Sequence, residues 1–141
     1  MSKAYNRHHG GCLCGVVQFE VSGAMRGVVN CHCDMCRRLH SAFGAHTKVQ
    51  NSQLTITGAD EISWYKSSSF ARRGFCSQCG AGLFWQPLDC ETTSIAAGTL
   101  DQPSELKTIG HIYTAELADF YTLSDGLAEF EGSADSALDS A

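Results

Sequence analysis

Cys31-His32-Cys33-Asp34-Met35-Cys36 is a C-x-C-x-x-C cluster, three thiols within six residues. Thiols this close in sequence can reach one metal ion together, through backbone reversals that short polar turns make readily. Three sulfurs leave one tetrahedral position without a nearby ligand. Two readings stay open at this point. The cluster is either a closed structural site completed from elsewhere in the chain, or an open site where chemistry happens.

Working outward, two further pairs flank the cluster: Cys12-Leu13-Cys14 between Gly11 and Gly15, and Cys76-Ser77-Gln78-Cys79 followed by Gly80. Glycine tolerates the positive φ with which backbone wraps a metal knuckle. Each pair is a half-site, and Cys12, Cys14, Cys76 and Cys79 together would close a four-cysteine zinc, contributing folding energy rather than catalysis. Spacing alone equally lets the triplet borrow a ligand from either pair. Counting favours two plus two, which leaves Cys31, Cys33 and Cys36 together. Cys90 reads as a free thiol, although Cys90 or a histidine is the residue that would close the triplet into a second structural site.

Three thiolates on Zn²⁺ make a poor Lewis acid toward a carbonyl. They suit a site that binds an incoming sulfur as thiolate, because soft sulfur prefers zinc and coordination lowers the thiol's pKa. The chemistry this points to is thiol activation, or its reverse, release of a thiolate from carbon.

Composition sets the outer limits. The chain has 141 residues, 43% of them apolar and 18% charged, which fits one folded domain with a real core. A net charge of −5 offers no footprint for phosphate backbones, so nucleic acid is not an expected partner. No stretch reaches the about 18 apolar residues that span a bilayer, and Met1–His9 has no apolar core of a signal peptide. The expected location is therefore the cytoplasm, a reducing compartment where eight cysteines read as ligands rather than disulfides.

Many short strands and few helical patterns predict a mainly β domain. Val16–Val21 alternates Val17, Phe19 and Val21 on one face with Val16, Gln18 and Glu20 on the other, the period of a half-buried strand. Ser22-Gly23 turns the chain, and Met25–Asn30 is expected to return as the strand that delivers the cluster. A short helical turn follows from Asp34 to His40, with Asp34 as its N-cap. Further strands are expected at Ala45–Val49, Leu54–Thr57, Ile62–Lys66, Phe70–Phe75, Leu83–Trp85, Ser94–Ala97 and Ile109–Thr114. Residues 1–9 read as a flexible leader, 10–130 as the metal-binding domain and 131–141 as a disordered acidic tail.

Gly11-Cys12-Leu13-Cys14-Gly15, Asn30-Cys31-His32-Cys33-Asp34-Met35-Cys36-Arg37 and Phe75-Cys76-Ser77-Gln78-Cys79-Gly80 stand in an order that resembles the glutathione-dependent formaldehyde-activating enzyme family, which includes centromere protein V. Ala97-Gly98-Thr99-Leu100-Asp101 and His111-Ile112-Tyr113 resemble later signatures of the family, so the likeness runs from about Gly10 to Phe130. The resemblance implies a Mss4-like fold of twisted β-sheets with two zinc ions. It places Cys12, Cys14, Cys76 and Cys79 on a structural ion and Cys31, Cys33 and Cys36 on a catalytic one. It also implies a carbon–sulfur lyase, or an enzyme forming S-(hydroxymethyl)glutathione, with a small thiol or thiol adduct as partner. The sequence departs from the family at Asp119-Phe120-Tyr121, where a Pro-Trp commonly precedes the aromatic, and at Ala128, where a proline is common.

Around the triplet, His32 is expected to turn away from the metal, behind the ligands or at the surface. Arg37 and Arg38 are candidates to attract the carboxylates of a tripeptide thiol. His46 and His111 read as strand residues, either of which could serve a lyase as acid or base. Phe43, Trp64, Phe84 and Trp85 read as core. The competing function is a non-catalytic zinc-binding module that offers its surface to a protein partner; a chromatin role is disfavoured by the acidic charge.

Overall fold

The computed structural model describes residues 7–134 and 137–139, which form two compact units, Met1–Met25 with Lys48–Glu105 and Arg26–Thr47 with Leu106–Ala141. Among the described residues, eleven strands and one α-helix make the fold mainly β, as the strand pattern predicts.

In the first unit, β1 (Arg7–Gly11), β2 (Gln18–Ser22) and β5 (Leu54–Thr57) form an antiparallel sheet with β2 in the middle. The alternation of β2 is realised: Phe19 and Val21 are buried while Gln18 and Ser22 are exposed. Val17, just ahead of the strand, is also buried. β1 pairs with β2 along its whole length, so Arg7–His9 belong to a strand where a flexible leader was expected. Residues 1–6 of that leader lie outside the described residues. Gly10 sits under the ring of Phe19, where a Cβ would come within 2.4 Å of the ring and of the Thr99 carbonyl. Glycine alone fits this approach.

The remaining strands of this unit run as an antiparallel meander: β6 (Ile62–Tyr65), β7 (Ala71–Cys76), β8 (Gly82–Pro87) and β9 (Thr92–Ala96). Ile62, Ala71, Leu83, Phe84 and Ile95 supply its buried face. Phe84 meets Phe19 edge-on at 5.6 Å. Each leucine, isoleucine or phenylalanine among them removed from water contributes about 1.5–3 kcal/mol. Trp64 stacks on Phe84, and the Arg72 guanidinium lies 3.9 Å over its ring, so Trp64 closes the core at its edge.

The second unit holds β3 (Val28–Cys31), α1 (Asp34–His40), the start of β4 (Gly44–Gln50), β10 (Thr108–Ile112) and β11 (Ala128–Glu129). β3 pairs in parallel with β10 and antiparallel with β4, and β11 adds in parallel to the far side of β10. The strand expected over Met25–Asn30 therefore begins at Val28 and pairs with neither strand of a hairpin around Ser22-Gly23. Arg26 instead donates its guanidinium to the His46 carbonyl at 3.0 Å and faces Asp139, and Gly27 packs against Ile109. In the tail, Leu138 is buried, with its methyl groups over Gly110, although a disordered segment was expected there.

Candidate metal centres

The four-cysteine group is built from two matching knuckles. Cys12 follows β1, and the Gly15 amide donates to the Cys12 carbonyl at 3.3 Å; Cys76 ends β7, and the Gly80 amide donates to the Cys76 carbonyl at 2.8 Å. Gly15 and Gly80 take φ of 85° and 80°, the left-handed backbone that closes each turn. The knuckles bring Cys12 Sγ to 3.7 Å from Cys14 Sγ, and Cys14 Sγ to 3.8 Å from Cys76 Sγ. Tetrahedral zinc with bonds of 2.3 Å requires sulfur separations of about 3.8 Å, so the group fits the ion. Backbone amides point at the sulfurs as well: Val17 N at 3.3 Å from Cys12 Sγ, Gln78 N at 3.3 Å and Cys79 N at 3.4 Å from Cys76 Sγ. The amides of Ala81 and Cys14 hold the Cys79 thiol down to about 6.

The second group joins Cys31 at the end of β3, Cys33 at the helix N-cap and buried Cys36 in the first turn of α1; within each group all sulfurs lie within 4.8 Å of one another. The cap is a correction. Asp34 was expected to cap α1, but Cys33 Sγ accepts from the Cys36 amide at 3.4 Å, and Asp34 is the first helical residue, pairing with Arg37 and Arg38. A sulfur held by a metal site one residue earlier occupies the capping place. Hydrogen bonds with Cys33 and Cys36, and burial, push the Cys31 thiol up, while its bonds to Cys31 and Cys36 hold Cys33 down to about 2. Gly44 faces Cys31 across β3 and β4, and a Cβ on it would stand 3.1 Å from Cys36 Sγ.

Among the described residues no fourth histidine, cysteine or carboxylate ligand atom joins this triplet. His32, the nearest in sequence, has both ring nitrogens committed: Nδ1 lies 2.6 Å from Tyr121 Oη and Nε2 2.9 Å from His111 Nδ1. It is completely buried, not at the surface, and burial with the neighbouring His111 holds its imidazole below the usual range. His40, one helical turn beyond Cys36, lies edge-on to His46 at 5.6 Å and is outside the group. Cys90 belongs to neither group. It is exposed, 3.4 Å from the Asp89 carboxylate that pushes its thiol up.

His111 is buried on β10, with Nε2 2.8 Å from Asp125 Oδ2. Tyr121 and Asp125 escaped the sequence reading, as did the place of Phe43, whose ring lies tilted at 5.1 Å from that of His32 rather than serving a distant core. No local pattern marks Tyr121; it falls in the stretch where the family resemblance departs. Arg37 and Arg38 lie on the exposed side of α1, both already paired with Asp34.

The fold and its two cysteine groups define a mainly β protein with one four-cysteine and one three-cysteine group, each of which could hold a metal ion. The family model for the glutathione-dependent formaldehyde-activating enzyme matches residues 7–116, and the chain belongs to this family. A curated relative, an uncharacterized lyase of Schizosaccharomyces pombe, is 32% identical over 79 residues, covering 55% of this chain and 56% of the relative. The chain thus matches little more than half the length of that relative. A crystal structure of a Rhodobacter sphaeroides protein superposes with a TM-score of 0.56 at 26% identity, over 71% of this chain and 98% of that one. No helix among the described residues is long and apolar enough to cross a membrane.

Proposed function

We propose that the protein is a zinc-dependent carbon–sulfur lyase acting on a thiol adduct, with S-(hydroxymethyl)glutathione, formed or cleaved, as the leading substrate. In this reading Cys12, Cys14, Cys76 and Cys79 hold a structural zinc and Cys31, Cys33 and Cys36 the catalytic one. The observation that carries it is the triplet of sulfurs to which no fourth protein ligand comes among the described residues, with His32 turned into its own hydrogen bonds. All eight cysteines are unbridged, which suits a reducing compartment, and we place the protein in the cytoplasm.

Bound by the triplet, zinc would supply a soft position that holds a substrate sulfur as thiolate. The chain's residues arrange the rest. The Cys36 amide anchors Cys33 Sγ, Gly44 leaves space beside Cys36, and Phe43 and Tyr121 wall the buried His32. In cleavage, the C–S electron pair passes to sulfur and the adduct's hydroxyl proton departs as the C=O bond forms. Addition runs the same steps backward. Either direction needs a group that accepts and returns one proton.

Titrating the Co²⁺-loaded protein with glutathione tests this reading. The sulfur-to-metal charge-transfer bands should shift and saturate at one equivalent per chain, and exchange of labelled formaldehyde with glutathione should accelerate. Bands that ignore glutathione would leave a closed, non-catalytic zinc module instead.

A further inference from the structure

β6 ends the meander, and among the described residues no strand lies along its outer edge. Its pairing with β7 decides which backbone groups face that edge. Ile62 stands opposite Cys76, whose amide turns away to the Ala81 carbonyl at 3.0 Å, while the Glu61 carbonyl accepts from the Ser77 amide at 2.8 Å. In an antiparallel ladder the bonding side alternates along the strand. Glu61, Ser63 and Tyr65 therefore bond to β7, and Ile62 and Trp64 turn their backbone groups outward. The Ile62 N–H is already given to the Ala59 carbonyl, in the turn that precedes the strand. Left facing the edge are the Ile62 carbonyl, both groups of Trp64 and, one residue past the strand, those of Lys66. Nor does Ile62-Ser63-Trp64-Tyr65 carry the prolines or charges that blunt a free edge.

This set of groups is self-complementary. Turned about a two-fold axis through Trp64, two such edges pair antiparallel, with Trp64 opposite its own copy and Ile62 opposite the partner's Lys66. The two Trp64 residues exchange both bonds, and each Lys66 N–H meets the partner's Ile62 carbonyl. Moving the axis to Ser63 would call on the engaged Ile62 N–H and leave the Trp64 carbonyl without a donor. Moving it to Tyr65 would centre the pairing on the end of the strand.

Side chains favour the Trp64 axis. On the outer face it sets Tyr65 opposite the partner's Ser63, whose neighbour on β7 is Phe75. Tyr65 is 61% and Phe75 38% exposed, apolar surface that a lone copy leaves in water. The small Ser63 lets the Tyr65 ring reach across it toward the partner's Phe75, once on each side of the axis. Charge agrees as well. Lys66 comes beside the turn that carries the partner's Asp60 and Glu61. Glu61 already accepts from the Gln78 amide at 2.9 Å, which leaves Asp60 for the lysine. Asp60 and Lys66 are both exposed, and within one copy neither makes an ion pair among the described residues.

We propose that a second copy of this chain docks on β6 in this register, so that the two meanders run on as one sheet through a symmetric dimer. Sedimentation of the zinc-loaded full chain, from micromolar to near-millimolar concentration, should show a monomer–dimer equilibrium. Lys66→Glu and Asp60→Lys should each weaken association by about tenfold, because each sets like charges together at both ends of the contact. Mixed in equal amounts, the two variants should associate as tightly as the parent, since every contact between them is again opposite in sign. Both positions are exposed and lie outside the cysteine groups, so zinc content should stay at the parent's level. Hydrogen exchange reads the register. The Trp64 amide should exchange more slowly as the parent's concentration rises, while the Ser63 and Tyr65 amides, bonded to β7, should not change. A mixture no tighter than either variant alone, or a Trp64 amide indifferent to concentration, overturns the proposal. So does a parent that stays monomeric throughout, which would leave the edge to a strand of another protein.

Discussion

Gly44 shows how closely single residues crowd the triplet. A Cβ there would stand 2.8 Å from His46 Cε1, 2.9 Å from His40 Cδ2 and 3.1 Å from Cys36 Sγ. Gly44→Ala should weaken metal binding at the triplet by about ten- to a hundredfold while the four-cysteine site keeps its ion, as competition with a chromophoric chelator would show. Asp125 carries a pH signature. Its folded carboxyl lies below the unfolded value of about 3.9, so its contribution is present above that value and is lost as pH falls through the folded one. The difference in unfolding midpoint between parent and Asp125→Asn should therefore be constant from pH 7 to about 5 and close below about pH 4. Because both proteins lose metal as their thiolates protonate, the difference is the readout. At this scale the sequence was legible where chemistry is local: the three cysteine motifs mark the ligands, and counting thiols, two plus two and three, divides them into the groups that the structure brings together. Tyr121 and Asp125 were not, since they meet His32 and His111 only through tertiary structure.

Elements tell the same story in their pairings. The alternation in Val16–Val21 foretold β2 because its period is written along the strand. The parallel pairing of β3 with β10 could not be read, because register between strands so far apart in sequence leaves no local trace. Cys33 as the cap of α1 was missed because capping rules favour the carboxylate next to it, and the competing sulfur wins only in the folded cluster. The two kinds of element-end cysteine should respond differently to mutation. Cys76→Ser at the buried end of β7 should remove one of two zinc equivalents and lower thermal stability by several kcal/mol, because the knuckle's staple is lost. Cys33→Ser should remove the other equivalent and abolish turnover, yet keep far-UV circular dichroism near the parent's, since a serine oxygen still caps the short helix. Metal analysis alongside calorimetry separates the two outcomes.

At the scale of the molecule, each compact unit contains its own cysteine group: the four-sulfur group in the unit of Met1–Met25 and Lys48–Glu105, the triplet in the other. Stripping metal with a strong chelator under reducing conditions should therefore release zinc in two kinetic phases, and Zn²⁺ but not Mg²⁺ should restore both stability and turnover. The groups also differ in reach. Cys31, Cys33 and Cys36 are neighbours along the chain, whereas Cys14 and Cys76, whose sulfurs touch, are 62 positions apart. Closing the longer loop carries an entropic cost that the triplet avoids. During synthesis, all three triplet cysteines are present before Cys76 has left the ribosome, so on the proposed assignment a nascent chain in zinc-poor conditions would fill the site proposed as catalytic before the one proposed as structural.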